Sequence, residues 1–169
     1  MMVNLNIPSS QACEDFMAGL SALGLFVTHL DCEVWIDGEN EADGVAFASS
    51  FDFVESARAR KIAELSADCQ ADIEAGFASS AIGEEIFYDG GIEDQLNLVG
   101  AALAQTDLQF RARAVGESTK SFKFHTAAQM AQVFADGVNY KLACLTKLET
   151  LRAAVAAAET VADVNAVSW

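Results

Sequence analysis

Apolar residues recur at every third or fourth position over the last third of the chain. They are Met130, Phe134, Val138, Leu142, Leu145, Leu148, Leu151 and Val155. This spacing predicts one long amphipathic helix over residues 126–158. At about 1.5 Å per residue, such a helix is roughly 50 Å long. Thr126 and Gln129 have the spacing of a capping box at its start. Gly137 indicates a kink or a close packing contact, because glycine is unfavourable inside a helix.

Shorter periodic segments precede the long helix. Helical spacing predicts helices over residues 52–76 and 92–105, and a cap at Thr160 predicts a short terminal helix. Residues 85–88 fit a short strand. Residues 108–114 alternate apolar and polar, and residues 122–124 alternate in the same way, so we expect them to pair as an antiparallel hairpin. We expect five residues to form the buried side of the 92–105 helix: Leu96, Leu98, Val99, Ala102 and Leu103.

The beginning of the chain predicts a β-α-β-β arrangement. Residues 3–7 fit a strand, a helix follows Pro8 and ends at Gly24, and residues 25–30 and 32–36 are rich in strand-forming types. Residues 45–48 fit a further hairpin arm. We therefore expect an α+β fold with a small acidic β-α-β-β unit over residues 1–51. Residues 52–169 then form a helix-rich domain with a short antiparallel sheet and one long C-terminal helix.

The charge is distributed unevenly. The net charge is -15, and residues 1–57 contain ten Asp or Glu and no Lys or Arg. This asymmetry supports a separate N-terminal unit. Such an excess of acid argues against nucleic acid and against an anionic membrane surface as partners. A solvated acidic face and a surface for a basic partner are the two alternatives. Apolar residues make up 52% of the chain, enough for a packed core.

The densest acidic segment joins the predicted hairpin arms. Carboxylates occupy every second position there: Asp37, Glu39, Glu41 and Asp43. The spacing is that of a calcium loop, but Ala42 and Ala48 stand where such a loop needs glycine and glutamate. We therefore expect a solvated turn and no metal.

Arg58, Arg60 and Lys61 form a basic cluster. One interpretation pairs them with acids of the same chain, such as Glu55, Glu64 and those of the N-terminal unit. The other is a contact with an acidic partner.

The residues that usually carry catalysis are sparse. His29 lies on a predicted strand near Asp31, and His125 directly precedes the cap of the long helix, where a structural role is expected. The acid pairs at residues 84–85 and 93–94 are adjacent in sequence and so do not face each other. No phosphate loop, dinucleotide fingerprint or metalloprotease motif occurs. We expect a protein that is not an enzyme and has no cofactor.

The cysteines Cys13, Cys32, Cys69 and Cys144 are scattered and form no CxxC pair. We expect reduced, buried thiols, with disulfides as the alternative. Neither a secretory signal nor a membrane-spanning stretch is expected from the apolar runs.

Several segments after residue 58 carry a resemblance to a known family. They are RKIAE at residues 60–64, GFASSAIG at 76–83, Tyr88, DQLNL at 94–98, HTAAQ at 125–129, and AETVAD at 158–163 with Trp169. In their order and spacing they resemble an uncharacterised domain family of tailed-phage and prophage proteins that is often encoded beside tail fibre genes. The family often carries a tryptophan before the histidine, where this chain has Phe122 and Phe124.

The resemblance implies a non-enzymatic structural component of a bacteriophage tail, such as a baseplate or tail-fibre attachment subunit. Such a protein is made in the host cytoplasm and resides in the virion. The alternative is a tail fibre assembly chaperone that is absent from the mature virion. Either role implies other tail or tail fibre proteins as partners, with a homo-oligomer left open.

We place the partner contact on the acidic unit, through Trp35 and residues 37–44, with the basic cluster at Arg58, Arg60 and Lys61 as a second element. Deleting residues 1–50 is then expected to leave a folded but assembly-deficient protein.

Overall fold

The fold comes from a computed structural model of the chain, which describes residues 2–3, 10–25, 27–30, 33–36 and 41–169. Within these ranges the elements follow in this order: β1 (Met2–Val3), α1 (Ser10–Ala22), β2 (Val27–Leu30), β3 (Glu33–Ile36), α2 (Glu41–Ser50), α3 (Phe53–Ala75), β4 (Phe77–Ser79), β5 (Ile86–Tyr88), α4 (Ile92–Ala104), β6 (Leu108–Ala114), β7 (Ser121–His125), α5 (Ala127–Ala157) and α6 (Val161–Ala166). The predicted α+β class, with a short antiparallel sheet and one long C-terminal helix, is confirmed.

The chain divides into two compact units. The first contains Met1–Ala63 and Ala153–Ser168, and the second contains Glu64–Arg152 and Trp169. The predicted boundary at residues 51 and 52 lies inside the first unit. The assignment of residues 1–51 and 52–169 as domains stays a prediction.

The first unit contains a three-stranded antiparallel sheet in the order β1-β3-β2. Its core centres on Phe16 and Leu20 of α1, which are fully buried, together with Val34 of β3. The ring of Phe16 lies 5.3 Å from that of Phe51 and 5.8 Å from that of Phe53, measured between centroids. Aromatic pairs at these separations contribute beyond simple burial.

The strand predicted at residues 45–48 is wrong, because these residues belong to the helix α2. The alternation of Val45 and Phe47 with alanines imitates a strand. The residues that the unit covers recur instead at helical spacing: Gly44, Phe47, Ala48 and Phe51 are buried or half-buried, whereas Val45 is exposed. The predicted acidic turn is also shortened, because α2 begins at Glu41; residues 37–40 lie outside the described part of the chain.

The second unit contains the four-stranded antiparallel sheet in the order β4-β5-β6-β7. The predicted hairpin is confirmed as β6 and β7, in which Phe110 pairs with Lys123 and Leu108 with His125. Opposed residues share a face of the sheet. Lys123 and His125 therefore lie on the inner side, and Phe122 and Phe124 are exposed on the outer side.

The long helix α5 begins with the predicted capping box. The Gln129 amide nitrogen donates to Thr126 Oγ1 at 3.2 Å, and the Thr126 amide nitrogen donates to Gln129 Oε1 at 2.9 Å. Asp107 Oδ1 accepts a further hydrogen bond from the amide nitrogen of Ala127 at 2.9 Å. These contacts satisfy backbone donors that the first turn leaves without helical partners.

The predicted apolar stripe of α5 is only partly correct. The buried positions include Met130, Val133, Cys144 and Leu148, but Val138, Leu142 and Leu145 are exposed. Each residue advances a helix by about 100°, so three steps of four residues carry Leu142 about 120° away from Met130. A stripe built from repeated steps of four therefore leaves the buried face.

Gly137 marks a close packing contact, one of the two options that its position indicates. A Cβ atom there would lie 2.7 Å from Cζ of Phe77, closer than real Cβ atoms approach other atoms. The side chain of Phe77 thus packs directly on the backbone of α5.

Candidate interaction surface

Only part of the predicted acidic contact falls within the described residues. Asp37 and Glu39 lie outside them. The structure describes Trp35 as a residue of β3 and Glu41 as the first residue of α2, but it does not describe the side chains of these two residues. Asp43 is exposed on α2 and borders a shallow depression beside Leu23. The proposed contact through these residues stays a prediction.

Arg58 makes contacts within the first unit. Its NH2 nitrogen donates to the carbonyl oxygen of Ala158 at 2.7 Å, and its NH1 nitrogen pairs with Glu55 at 3.3 Å. The pairing with Glu55 is the one expected from the intramolecular interpretation of the cluster. The hydrogen bond to Ala158 also ties α3 to the end of α5.

Arg60 and Lys61 are also built into the first unit. Arg60 pairs with Asp15 of α1, and its other terminal nitrogen lies 3.4 Å from Asn165 Oδ1. Lys61 is buried on α3. These positions favour a structural role for the cluster, although an acidic partner at its exposed portions stays a prediction.

His125 is buried at the corner between β7 and α5. Its Nδ1 lies 2.9 Å from the carbonyl oxygen of Lys123, and its Nε2 lies 2.7 Å from the hydroxyl of Tyr88. A carbonyl oxygen can only accept, so Nδ1 donates to Lys123, and in the tautomer with its proton on Nδ1 the Nε2 atom accepts from the Tyr88 hydroxyl. Burial, and secondarily the charge of Asp136, raise the pKa of Tyr88 to about 12. This geometry agrees with the structural role expected for His125, while the side chain of His29 is outside the described part.

The described thiols and carboxylates offer no metal site. Over residues 2–3, 10–25, 27–30, 33–36 and 41–169, no group of three or more His, Cys, Asp or Glu side chains could hold an ion. Cys69 and Cys144 are buried, and burial together with the neighbouring Cys144 raises the pKa of Cys69. A thiol with a raised pKa is a poor nucleophile because little thiolate forms.

The second unit exposes a large apolar surface on two helices. On α4 the exposed residues are Ile92, Leu96, Val99 and Leu103, and on α5 they are Val138, Leu142 and Leu145. Both sets follow steps of four and three residues, so each forms one stripe along its helix. Val99 and Val138 line the same cleft, which joins the two stripes. We call these seven residues the α4–α5 face.

The expected buried side of α4 is therefore wrong in most of its members. Only Leu98 of the predicted apolar residues is buried, whereas Leu96 and Leu103 are 67% and 75% exposed. Leu98 lies about 200° around the helix from Leu96, since each residue advances about 100°. The helix is apolar on two sides, and the core covers one of them.

A cleft of about 210 Å³ opens within the α4–α5 face. Its apolar lining includes the aromatic rings of Phe77, Phe134 and Tyr140. Lys141 Nζ donates to Gln95 Oε1 at 3.2 Å, and Gln95 Nε2 donates to the carbonyl oxygen of Gly90 at 2.6 Å. The side chain of Gln95 is therefore held by Gly90 and in turn positions the ammonium group of Lys141 beside the apolar cleft.

Asp89 borders the same cleft but is already neutralised. Its carboxylate lies 3.1 Å from Arg113 Nε and 2.8 Å from Lys120 Nζ. Burial by itself would raise the pKa of Asp89, but hydrogen bonds from Lys120 and Arg113 outweigh it and lower that pKa. The same contacts with Asp89 and with Asp94 raise the pKa of Lys120. These ion pairs hold Lys120, which lies just before β7, beside the end of β5.

The family model described as "Domain of unknown function (DUF4376)" matches residues 56–168, which is more than half of the chain. The chain belongs to this family. No curated protein and no solved structure matches it significantly. The DUF4376 range includes the whole α4–α5 face and its cleft. Among the helices of the described residues, none is long and apolar enough to span a membrane.

The sequence analysis did not predict that the α4–α5 face of this DUF4376 domain is exposed. The signal was present, because Ile92, Leu96, Val99 and Leu103 follow 4-3-4 spacing. That spacing predicts an apolar stripe but does not indicate whether the core or the solvent lies against it.

Proposed function

We propose that this chain is a non-enzymatic structural component of a bacteriophage tail, a baseplate or tail-fibre attachment subunit that acts through protein–protein contacts. Its resemblance to phage and prophage proteins supports the tail as its location. The α4–α5 face carries the proposal of a contact function. Exposed apolar surface that is continuous, unlike single exposed residues, is typical of interaction sites.

The exposed apolar area of the α4–α5 face is large enough to contribute substantially to the binding of a partner. Ile92 and Leu103 are each 75% exposed, and Leu142 is 60% exposed. Burying a fully exposed side chain of this size contributes about 1.5–3 kcal/mol. A partner that covers the seven side chains therefore gains enough to offset a substantial part of the entropy lost on association.

The first test is mass spectrometry of highly purified particles from cells that produce this protein. A fixed number of copies per tail supports a structural component. Detection only in the cell lysate, bound to fibre protein, identifies the alternative role of an assembly chaperone. Detection with neither refutes a role in the tail.

A second test separates the α4–α5 face from the rest of the surface. We expect Leu96→Glu to fold normally, because Leu96 is 67% exposed, but to be lost from particles. Val115→Glu is the matched control, since Val115 is 51% exposed and lies outside the face, in the turn after β6. Equal incorporation of both variants would show that the face makes no contact in the tail.

Deleting residues 1–50 is a less specific test of the contact predicted for the acidic N-terminal unit. It removes α1, whose Phe16 packs against Phe51 and Phe53. The shortened chain would expose those two rings and would remove Asp15, which pairs with Arg60 of α3. Replacing Asp43 with lysine changes the charge at an exposed position and leaves this core intact. Loss of assembly in Asp43→Lys would support the acidic contact, and normal assembly would argue against it.

A further inference from the structure

The cleft within the α4–α5 face has the size and lining for one ring. Its volume is about 210 Å³, and its walls include Phe77, Phe134 and Tyr140. An apolar cavity of about 150 Å³ in another protein accommodates benzene. Aromatic walls favour an aromatic guest, because rings gain from offset and edge-to-face contacts beyond the area they bury.

The cleft also carries a positive charge that no carboxylate of the described chain neutralises. Lys141 Nζ contacts the neutral amide of Gln95, and within the described residues no acid forms an ion pair with it. Asp89, the acid that borders the cleft, is engaged by Arg113 and Lys120. In a chain with 25 acidic and 10 basic residues, a lysine in this state is available for a carboxylate from outside.

We infer that the cleft between α4 and α5 is a docking site for an aromatic side chain of a partner polypeptide, next to a carboxylate that pairs with Lys141. The aromatic ring enters among Phe77, Phe134 and Tyr140. The carboxylate replaces solvent around the ammonium group, which Gln95 already holds in place. The inference rests on the cleft alone and does not depend on a role in a phage tail.

A second copy of this chain is the less suitable occupant. The exposed phenylalanines of the described residues are Phe122 and Phe124, on β7. On the same outer face the exposed Arg111 lies opposite Phe122 in the register of the two strands, and it would bring further positive charge toward Lys141. Like charges at close range oppose that contact.

The test uses the full-length protein and three short peptides with blocked ends. The first contains Phe followed by Asp, the second has Asn in place of Asp, and the third has Ala in place of Phe. Binding is followed by NMR through the backbone amides of Phe134, Val138 and Lys141. We expect saturable shifts with the Phe-Asp peptide and none with the Ala-Asp peptide. The Phe-Asn peptide should bind about threefold more weakly, the value typical of an exposed ion pair.

Variants of the protein separate the charge from the cavity. Lys141→Gln should reduce binding of the Phe-Asp peptide to the level of the Phe-Asn peptide and leave the latter unchanged. Arg111→Gln is the control, because it removes a positive charge from an exposed position on β6 outside the cleft. Val138→Phe should abolish binding of both phenylalanine peptides by filling the cleft from a half-exposed position.

Four results would overturn the inference. One is the absence of saturable shifts with the Phe-Asp peptide, and another is equal binding of the Ala-Asp peptide. A third is an equal effect of Lys141→Gln and Arg111→Gln. The last is a shift of the cleft amides on dilution of the protein alone, which would identify a second copy as the occupant.

Discussion

Replacing Gly137 with alanine should destabilise this protein, although the same replacement stabilises most helix interiors. The added Cβ would lie 2.7 Å from Cζ and 2.8 Å from Cε1 of Phe77. The ring of Phe77 packs beside two others, with its centroid 5.6 Å from that of Tyr88 and 6.4 Å from that of Tyr140, and its open side is the one that lines the cleft. Either α5 or the ring must shift to accept the methyl group.

Two effects of opposite sign set the magnitude. Alanine is favoured over glycine in a helix interior by about 1 kcal/mol. Forcing an extra methyl group into a packed core costs about 1–3 kcal/mol. The free energy of unfolding of Gly137→Ala should therefore fall by about 1 kcal/mol. In Gly100→Ala only the first effect acts, because nothing lies within 4 Å of the new Cβ, and we expect a gain of about 1 kcal/mol.

The assay is guanidinium unfolding followed by circular dichroism, with the slope m fitted for each variant. Two compact units need not unfold in one transition, so the fluorescence of Trp169, which belongs to the second unit with Gly137, should be recorded in parallel. The variants for this measurement carry Trp35→Phe, because Trp35 is the other tryptophan of the chain. The reasoning is refuted if Gly137→Ala is stabilised as much as Gly100→Ala. A smaller side chain in Phe77→Leu should relieve the contact, so the added methyl of Gly137→Ala should cost less in that background.

Three further replacements test the corner between the sheet and α5. Tyr88→Phe should lower the free energy of unfolding by about 1–3 kcal/mol, because it leaves Nε2 of buried His125 without its donor; an unchanged unfolding midpoint would contradict this. Thr126→Ala should cost about 1 kcal/mol and speed amide exchange only in the first turn of α5; faster exchange along the whole helix would argue against a local cap. Asp89→Asn should cost about 1 kcal/mol at pH 7, since its half-buried carboxylate binds two cations. The pKa of Asp89 is lowered in the folded state, so this stabilisation is present above the ordinary value of 3.8 and disappears as the pH falls through the lowered one. Chemical unfolding at pH 7 and at several steps below pH 3.8 checks this, and a difference between the two proteins that does not shrink as the pH falls would contradict it.

The sequence by itself determined most of the element order. Steps of three and four residues located α3, α4 and α5, and strict alternation located β6 with its partner β7. Local signals also marked the ends of elements, as in the capping box at Thr126 and the cap at Thr160. These features depend on residues within one or two turns of each other, and such short-range preferences can be inferred from the order of the amino acids.

The candidate site depended on much longer separations. Lys141 and Gln95 form their hydrogen bond across 46 residues, and Tyr88 and His125 across 37. The acidic contact at residues 37–44 was inferred from local charge, whereas the cleft was not anticipated, because no spacing in the sequence brings α4 next to α5.

Only the tertiary structure decided which apolar sides face the core. Both α4 and α5 carry more apolar residues than one face can hold, and the sheet covers the side of Leu98 and Met130 while Leu96 and Leu142 remain exposed. Residues 45–48 are a second example. Their alternation of apolar residues with alanines predicted a strand, but they form part of the helix α2, from which Phe47 packs on Phe16. Periodicity reports the conformation that a segment prefers, whereas burial depends on which distant segment supplies the surface that covers it.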